Sequence, residues 1–233
     1  MLALTFSHAS RGRLTSRDAD RFPGSTLFDR IGRTVCEAGC LPRKELYEAW
    51  EVARRARRLF RGGRVVDLAA GHGLLSQIML ILDDSSPRAV AADVRLPRSA
   101  AALHEALVQR WPRLQGRVEF LASPLDSVTL DRQDVVVSSH ACGRLTDLII
   151  DRAIQARARL AVLPCCHDAA VSETGGLEGW MESGLAIDVM RARQLEAAGY
   201  RIWTQTIPET ITPKNRLLLA APDGEPRSPV EGQ

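Results

Sequence analysis

The segment Val65-Val66-Asp67-Leu68-Ala69-Ala70-Gly71-His72-Gly73-Leu74-Leu75-Ser76 decides how the chain is read. Its first residues form a short, buried-strand run, and from Leu74 an apolar helix follows, so two glycines sit in a strand-to-helix turn. Glycine lets a ligand approach the backbone, and the N-terminus of the following helix supplies free N–H donors. Outward from this turn, strand and helix patterns alternate. Strands are expected over 64–69, 89–94, 117–122, 134–138 and 160–163. Helices are expected over 74–82, 99–111, 146–156 and 186–198. The last two strands, 200–207 and 216–221, leave no room for a helix between them and must pair antiparallel. The expected fold is α/β: a Rossmann-like, seven-stranded, doubly wound sheet with a C-terminal antiparallel hairpin and an N-terminal helical extension.

Domain organisation is read as a mobile lead-in (1–26), a helical extension (27–61), the main domain (62–221) and a frayed tail (222–233). A chain of 233 residues with 45% hydrophobic and 25% charged residues excludes global disorder and collagen-like character. No apolar run approaches the length of a membrane span. Five cysteines, two of them adjacent, do not make a disulfide scaffold, and the expected compartment is a reducing cytoplasm. The net charge of +3 is uneven, because residues 1–64 hold 14 of the 31 basic residues against 7 of the 28 acids. A basic N-terminal third is expected to meet a polyanion, with RNA the first candidate.

The acid before the glycines separates cofactor classes. A carboxylate at Asp67 would repel the pyrophosphate of a dinucleotide, and the third glycine of that fingerprint is replaced by Ser76. S-adenosylmethionine carries an ammonium and a cationic sulfonium, for which an acid is welcome. Asp93, at the end of the second strand, suits the two ribose hydroxyls of a nucleoside.

Asp67 to Gly73, Asp93 and the final hairpin resemble a class I S-adenosylmethionine-dependent methyltransferase. Ser139-His140-Ala141-Cys142-Gly143 and Leu163-Pro164-Cys165-Cys166-His167 narrow the resemblance. They are similar to the H-A-C-G and P-C-C-H motifs of a methyltransferase-domain family shared by RNA methyltransferase-like and glutathione-transferase-fused proteins. The resemblance implies a cofactor site from Asp67, Ala69, Gly71, Gly73, Asp93, Val94, Ser123, Leu125 and Ser139. Pro124 stands where many relatives carry an acid for the adenine amino group, which leaves Ser123 or a backbone group for that contact.

On the acceptor side, His140, Cys142, Cys165 and Cys166 are expected to share one strand-end rim with His167. Three roles for the thiols compete: zinc ligands, a nucleophile beside an imidazolium, or packing. Adjacent cysteines do not easily both bind one ion, so no metal is assigned. Trp180 and Met181 lie in a glycine-bounded loop that could cover substrate, Lys214 precedes the last strand, and Cys36 and Cys40 are read as core. No Asn/Asp-Pro-Pro-aromatic signature is present, which disfavours methylation of the adenine amino group. The function expected is methyl transfer to an acceptor, RNA first. The alternatives are a cofactor-binding interaction module without turnover and a nicotinamide-dependent oxidoreductase.

Overall fold

The computed structural model describes residues 6–224. Strand β1 (Val65–Leu68) is buried along its whole length, as a strand covered on both faces must be. It pairs in parallel with β2 (Ala89–Asp93) on one side and β4 (Val135–Ser138) on the other. Strand β3 (Val118–Ala122) adds beyond β2, and β5 (Arg159–Val162) beyond β4, both parallel. Strands β6 (Tyr200–Thr206) and β7 (Arg216–Pro222) form the antiparallel hairpin, with β7 inserted beside β5. The order β3-β2-β1-β4-β5-β7-β6 confirms the doubly wound, seven-stranded reading.

Alternation along each strand divides the core in two. Val65, Val135 and Val137 face helices α1 (Leu27–Ala38), α2 (Arg43–Leu59), α3 (Leu74–Leu82) and α4 (Ala100–Arg110). Val66, Val136 and Leu160 face α5 (Arg144–Ala156) and α6 (Ser183–Ala197). The winding reverses between β1 and β4, so the ligand crevice opens at their carboxyl ends.

The N-terminal expectations need correction. Residues 6–26 are packed rather than loose: Leu14 and Phe22 are fully buried, and the Leu14 N–H donates to the Leu41 carbonyl at 2.8 Å. Two apolar anchors in a polar stretch leave no periodic signal, yet they suffice to strap the segment onto α1 and α2. The helical extension shares the core of the sheet, and Gly39, at φ 63°, splits it into two helices. The frayed tail cannot begin at 222, since β7 runs through Pro222; residues 225–233 of that expectation lie outside the described residues. No helix among the described residues is long and apolar enough to cross a membrane.

Candidate active site

The β1–α3 turn is held by two carboxylates. Asp67, 1% exposed, accepts the Ser76 N–H at 3.2 Å and so fixes the start of α3. Burial pushes its carboxyl up to about 8, with the nearby Asp93 charge adding to the rise. Asp93 accepts the Gly71 N–H at 2.9 Å on one oxygen and the Arg95 N–H at 3.0 Å on the other. A carboxylate has about four lone-pair sites, so two remain for a ligand.

The turn itself is left-handed at Ala69 (φ 57°), Gly71 (φ 53°) and Gly73 (φ 69°). The two glycines differ in purpose. A Cβ on Gly71 would meet nothing within 4 Å, so its backbone borders open space. A Cβ on Gly73 would lie 2.9 Å from both the Ala91 Cβ and the Phe120 ring. Gly73 therefore serves close packing of α3 on β2 and β3, rather than ligand approach. Val94 is 72% exposed at the lip of the crevice, Leu125 is half-buried, and the Ser123 N–H donates to the Asp93 carbonyl at 3.0 Å.

Across the turn, a narrow cavity with room for about one water is lined by Leu41, Glu45, Ala70, His72, Ser139 and His140, among others. Burial, reinforced by Lys44, pushes the His140 imidazole down to about 4, so it is neutral at physiological pH. Glu45 is pushed up to about 7 by burial first and the Glu48 charge second. His72 lies 3.9 Å from Glu45, and its other ring nitrogen is 3.0 Å from the Ser99 hydroxyl. Glu45 and His72 were missed from the sequence. The available signal was an acid on the apolar stripe Leu41, Glu45, Ala49, Val52 at helical spacing.

Strands β4 and β5 end side by side, and the candidate acceptor residues fall into two groups there. His140 lines the Glu45 cavity, whereas none of the three rim cysteines does. His167 instead pairs with Asp188 at 2.8 Å. Cys142, Cys165 and Cys166 form their own cluster, with all three sulfurs within 4.8 Å of one another. The objection to adjacent cysteines fails because side chains alternate only within a strand, and β5 ends at Val162. Burial raises the Cys142 and Cys165 thiols, the reverse of an activated nucleophile. Cys36 and Cys40 are buried core residues, as expected.

A methyltransferase-domain model matches residues 45–173. The chain belongs to that methyltransferase-domain family. A glutathione S-transferase C-terminal domain-containing protein of Xenopus laevis is 28% identical over 106 residues, 46% of this chain and only 15% of that protein. An O-methyltransferase family protein from Burkholderia thailandensis superposes with a TM-score of 0.51 at 19% identity, covering 93% of this chain and 66% of that one. TrmK of M. capricolum, solved with its natural cofactor product S-adenosylhomocysteine, gives 0.50 at 14% identity, covering 77% and 69%. At these identities the structures establish the fold of the methyltransferase domain, and it agrees with the sheet described above.

In the basic N-terminal third of the chain, several arginines are paired within the fold, while Arg11, Arg13, Arg17, Arg21, Arg58 and Arg61 are exposed. Arg54 and Arg55 pair with Glu51, Arg57 with Asp83, and Arg64 with Asp134. Arg33 donates to the Phe22 and Gly24 carbonyls. Trp180, in the glycine-bounded loop, is 87% exposed and does not pack in the core.

Proposed function

We propose that the chain transfers a methyl group from S-adenosylmethionine to an RNA base, in a reducing cytoplasm. The observation that carries the cofactor reading is the Asp93–Gly71 pair, which leaves two carboxylate lone-pair sites beside an open backbone. Asp93 takes the ribose hydroxyls, Val94 and Leu125 flank the base, and Ser123 lies beside them. The carboxyls of Asp67 and Glu45, held partly protonated by burial, ionise more readily beside an ammonium and a sulfonium and then balance that charge. When bound, the cofactor supplies an electrophilic methyl group on that sulfonium.

The chain's own residues position and desolvate the acceptor. Ser139 and His140 follow the end of β4 and line the narrow cavity, where they present polar groups to an acceptor atom at its mouth. A neutral imidazole accepts a hydrogen bond from an N–H or O–H acceptor and thereby orients its lone pair. Covalent help from the thiols is not needed for an in-line transfer, and the raised pKa values of Cys142 and Cys165 disfavour it there.

RNA is supported by the carboxyl rim as well as by the exposed arginines of the N-terminal third. Trp180 offers an exposed ring for stacking on a base. Lys214, exposed, precedes β7; because Leu218 pairs with Val162, the residues before it extend past the carboxyl end of β5. The test is transfer of a labelled methyl from S-adenosylmethionine to size-fractionated cellular RNA and to protein and small-molecule fractions. Label in RNA supports the proposal. Label only elsewhere rejects the acceptor, and cofactor binding without label in any fraction favours the interaction-module alternative.

A further inference from the structure

We propose that Cys142, Cys165 and Cys166 form a three-thiolate site for a soft divalent cation of the zinc class, with its fourth position open to solvent. The three sulfurs lie within 4.8 Å of one another, and Cys142 and Cys165 are 2.9 Å apart. Zinc–sulfur bonds of about 2.3 Å at tetrahedral angles place sulfurs about 3.8 Å apart, within the 4.8 Å span of the three, so Cys142 and Cys165 part by about 0.9 Å to take the ion. The 2.9 Å contact is too long for a disulfide bond of about 2.05 Å. A third sulfur within reach of both others distinguishes a metal site from a thiol pair.

Backbone contacts, rather than the sulfurs, hold the cluster together. Cys142 and Cys166 form a parallel bridge between the loops after β4 and β5, and the Gly143 N–H donates to the Cys166 carbonyl at 3.2 Å. The Arg191 guanidinium then donates to the Gly143 carbonyl at 3.1 Å while paired with Asp147 at 2.6 Å. On the neighbouring loop, His167 is anchored to Asp188, which Arg216 also binds at 2.6 Å. Supports of this kind, outside the ligands themselves, set donor geometry in metal sites. Cys142 and Cys166 are exposed, which gives an ion a path in and leaves a coordination position for water or an acceptor group. Binding exchanges three thiol protons, released to solvent, for one divalent cation.

The proposal is independent of the methyl-donor reading, and its test needs no activity. Reduced, metal-stripped protein is titrated with Co²⁺, then Zn²⁺. One equivalent of cobalt should give tetrahedral d–d bands and sulfur charge-transfer absorption, both displaced by zinc. Zinc should also shield three of the five cysteines from alkylation, as counted by mass. Cys142→Ser, Cys165→Ser and Cys166→Ser should each weaken zinc binding by at least ~100-fold, with helix content unchanged by circular dichroism. If a variant fails to fold, the wild-type cobalt spectrum and the alkylation count decide. Octahedral cobalt without charge transfer, or zinc binding intact in all three variants, would overturn the proposal. So would a Cys142–Cys165 disulfide that forms in air at the same rate with and without zinc.

Discussion

The Asp93 carboxylate accepts the Gly71 backbone N–H at 2.9 Å, which ties the end of β2 to the turn after β1 across the crevice. One group thus shapes the turn and faces the ligand. Asp93→Ala should remove both effects. S-adenosylhomocysteine at about 100 times its dissociation constant should stabilise the wild type by about 2.7 kcal/mol, and the variant should lose most of that shift. Thermal melts with and without ligand measure it. A larger shift with NADP than with S-adenosylhomocysteine would favour the dinucleotide alternative.

The two turn glycines should separate stability from binding. Gly73→Ala combines a left-handed backbone with contacts 2.9 Å from Ala91 and Phe120, for a loss of about 2–4 kcal/mol. Gly71→Ala carries only the backbone strain, about 1–2 kcal/mol, but places a methyl where the ligand approaches. Denaturant melts should therefore rank Gly73→Ala the less stable, while ligand titration should rank Gly71→Ala the weaker binder. Equal binding by Gly71→Ala and wild type would remove Gly71 from the site.

Much of this fold was legible because local pattern and tertiary outcome agree. Helix α3 occupies 74–82 as read, and the short span between β6 and β7 forces the hairpin. The site was legible only where its cause is local. Asp93 and Gly71 lie at strand ends, where the topology alone places ligands. The reason for Gly73 lies on β2 and β3, and Glu45 reaches the crevice only because α2 packs over it. Part of the charge of the basic N-terminal third is paired inside the fold for the same reason. Arg64 finds Asp134, and Arg55 finds the Thr206 carbonyl, partners that a charge count along the sequence cannot register.

Glu45 makes stability and binding depend on pH. Its native pKa, raised to about 7, exceeds the ordinary 4.5, so the folded state keeps a proton that the unfolded chain has lost. Stability therefore falls as pH rises from about 4.5 to about 7. Asp67, raised from 3.8 to about 8, adds a slope of the same sign that extends to about pH 8. Glu45→Gln should flatten its share of the fall in melting temperature between pH 5 and 7 and leave that of Asp67. A cationic ligand favours the ionised carboxyls, so S-adenosylmethionine affinity should rise with pH across the same window. An unchanged slope in Glu45→Gln would show that this carboxyl is not held protonated.

Trp180→Ala should leave the melting temperature nearly unchanged, within about 0.5 kcal/mol, because the side chain is 87% exposed. If the ring stacks on a base, the variant should weaken RNA binding by about 1–3 kcal/mol, roughly 5- to 150-fold. Filter binding at fixed salt reads this directly. Full RNA affinity in the variant would remove the main support for an RNA acceptor at this rim.

His140→Ala tests the acceptor side. The imidazole lines the narrow cavity beside Ser139, on the opposite side of the turn from Asp93. Its removal should abolish methyl transfer and leave S-adenosylhomocysteine binding within a few-fold, since the ribose and turn contacts do not involve it. His140→Asn, which keeps a hydrogen-bonding group, should recover part of the rate if the role is positioning. If only the wild type turns over and its rate rises with pH as a single ionisation, the imidazole instead accepts a proton. Full activity in His140→Ala would place the reacting centre elsewhere on the carboxyl rim, with the Cys142 cluster the next site to test.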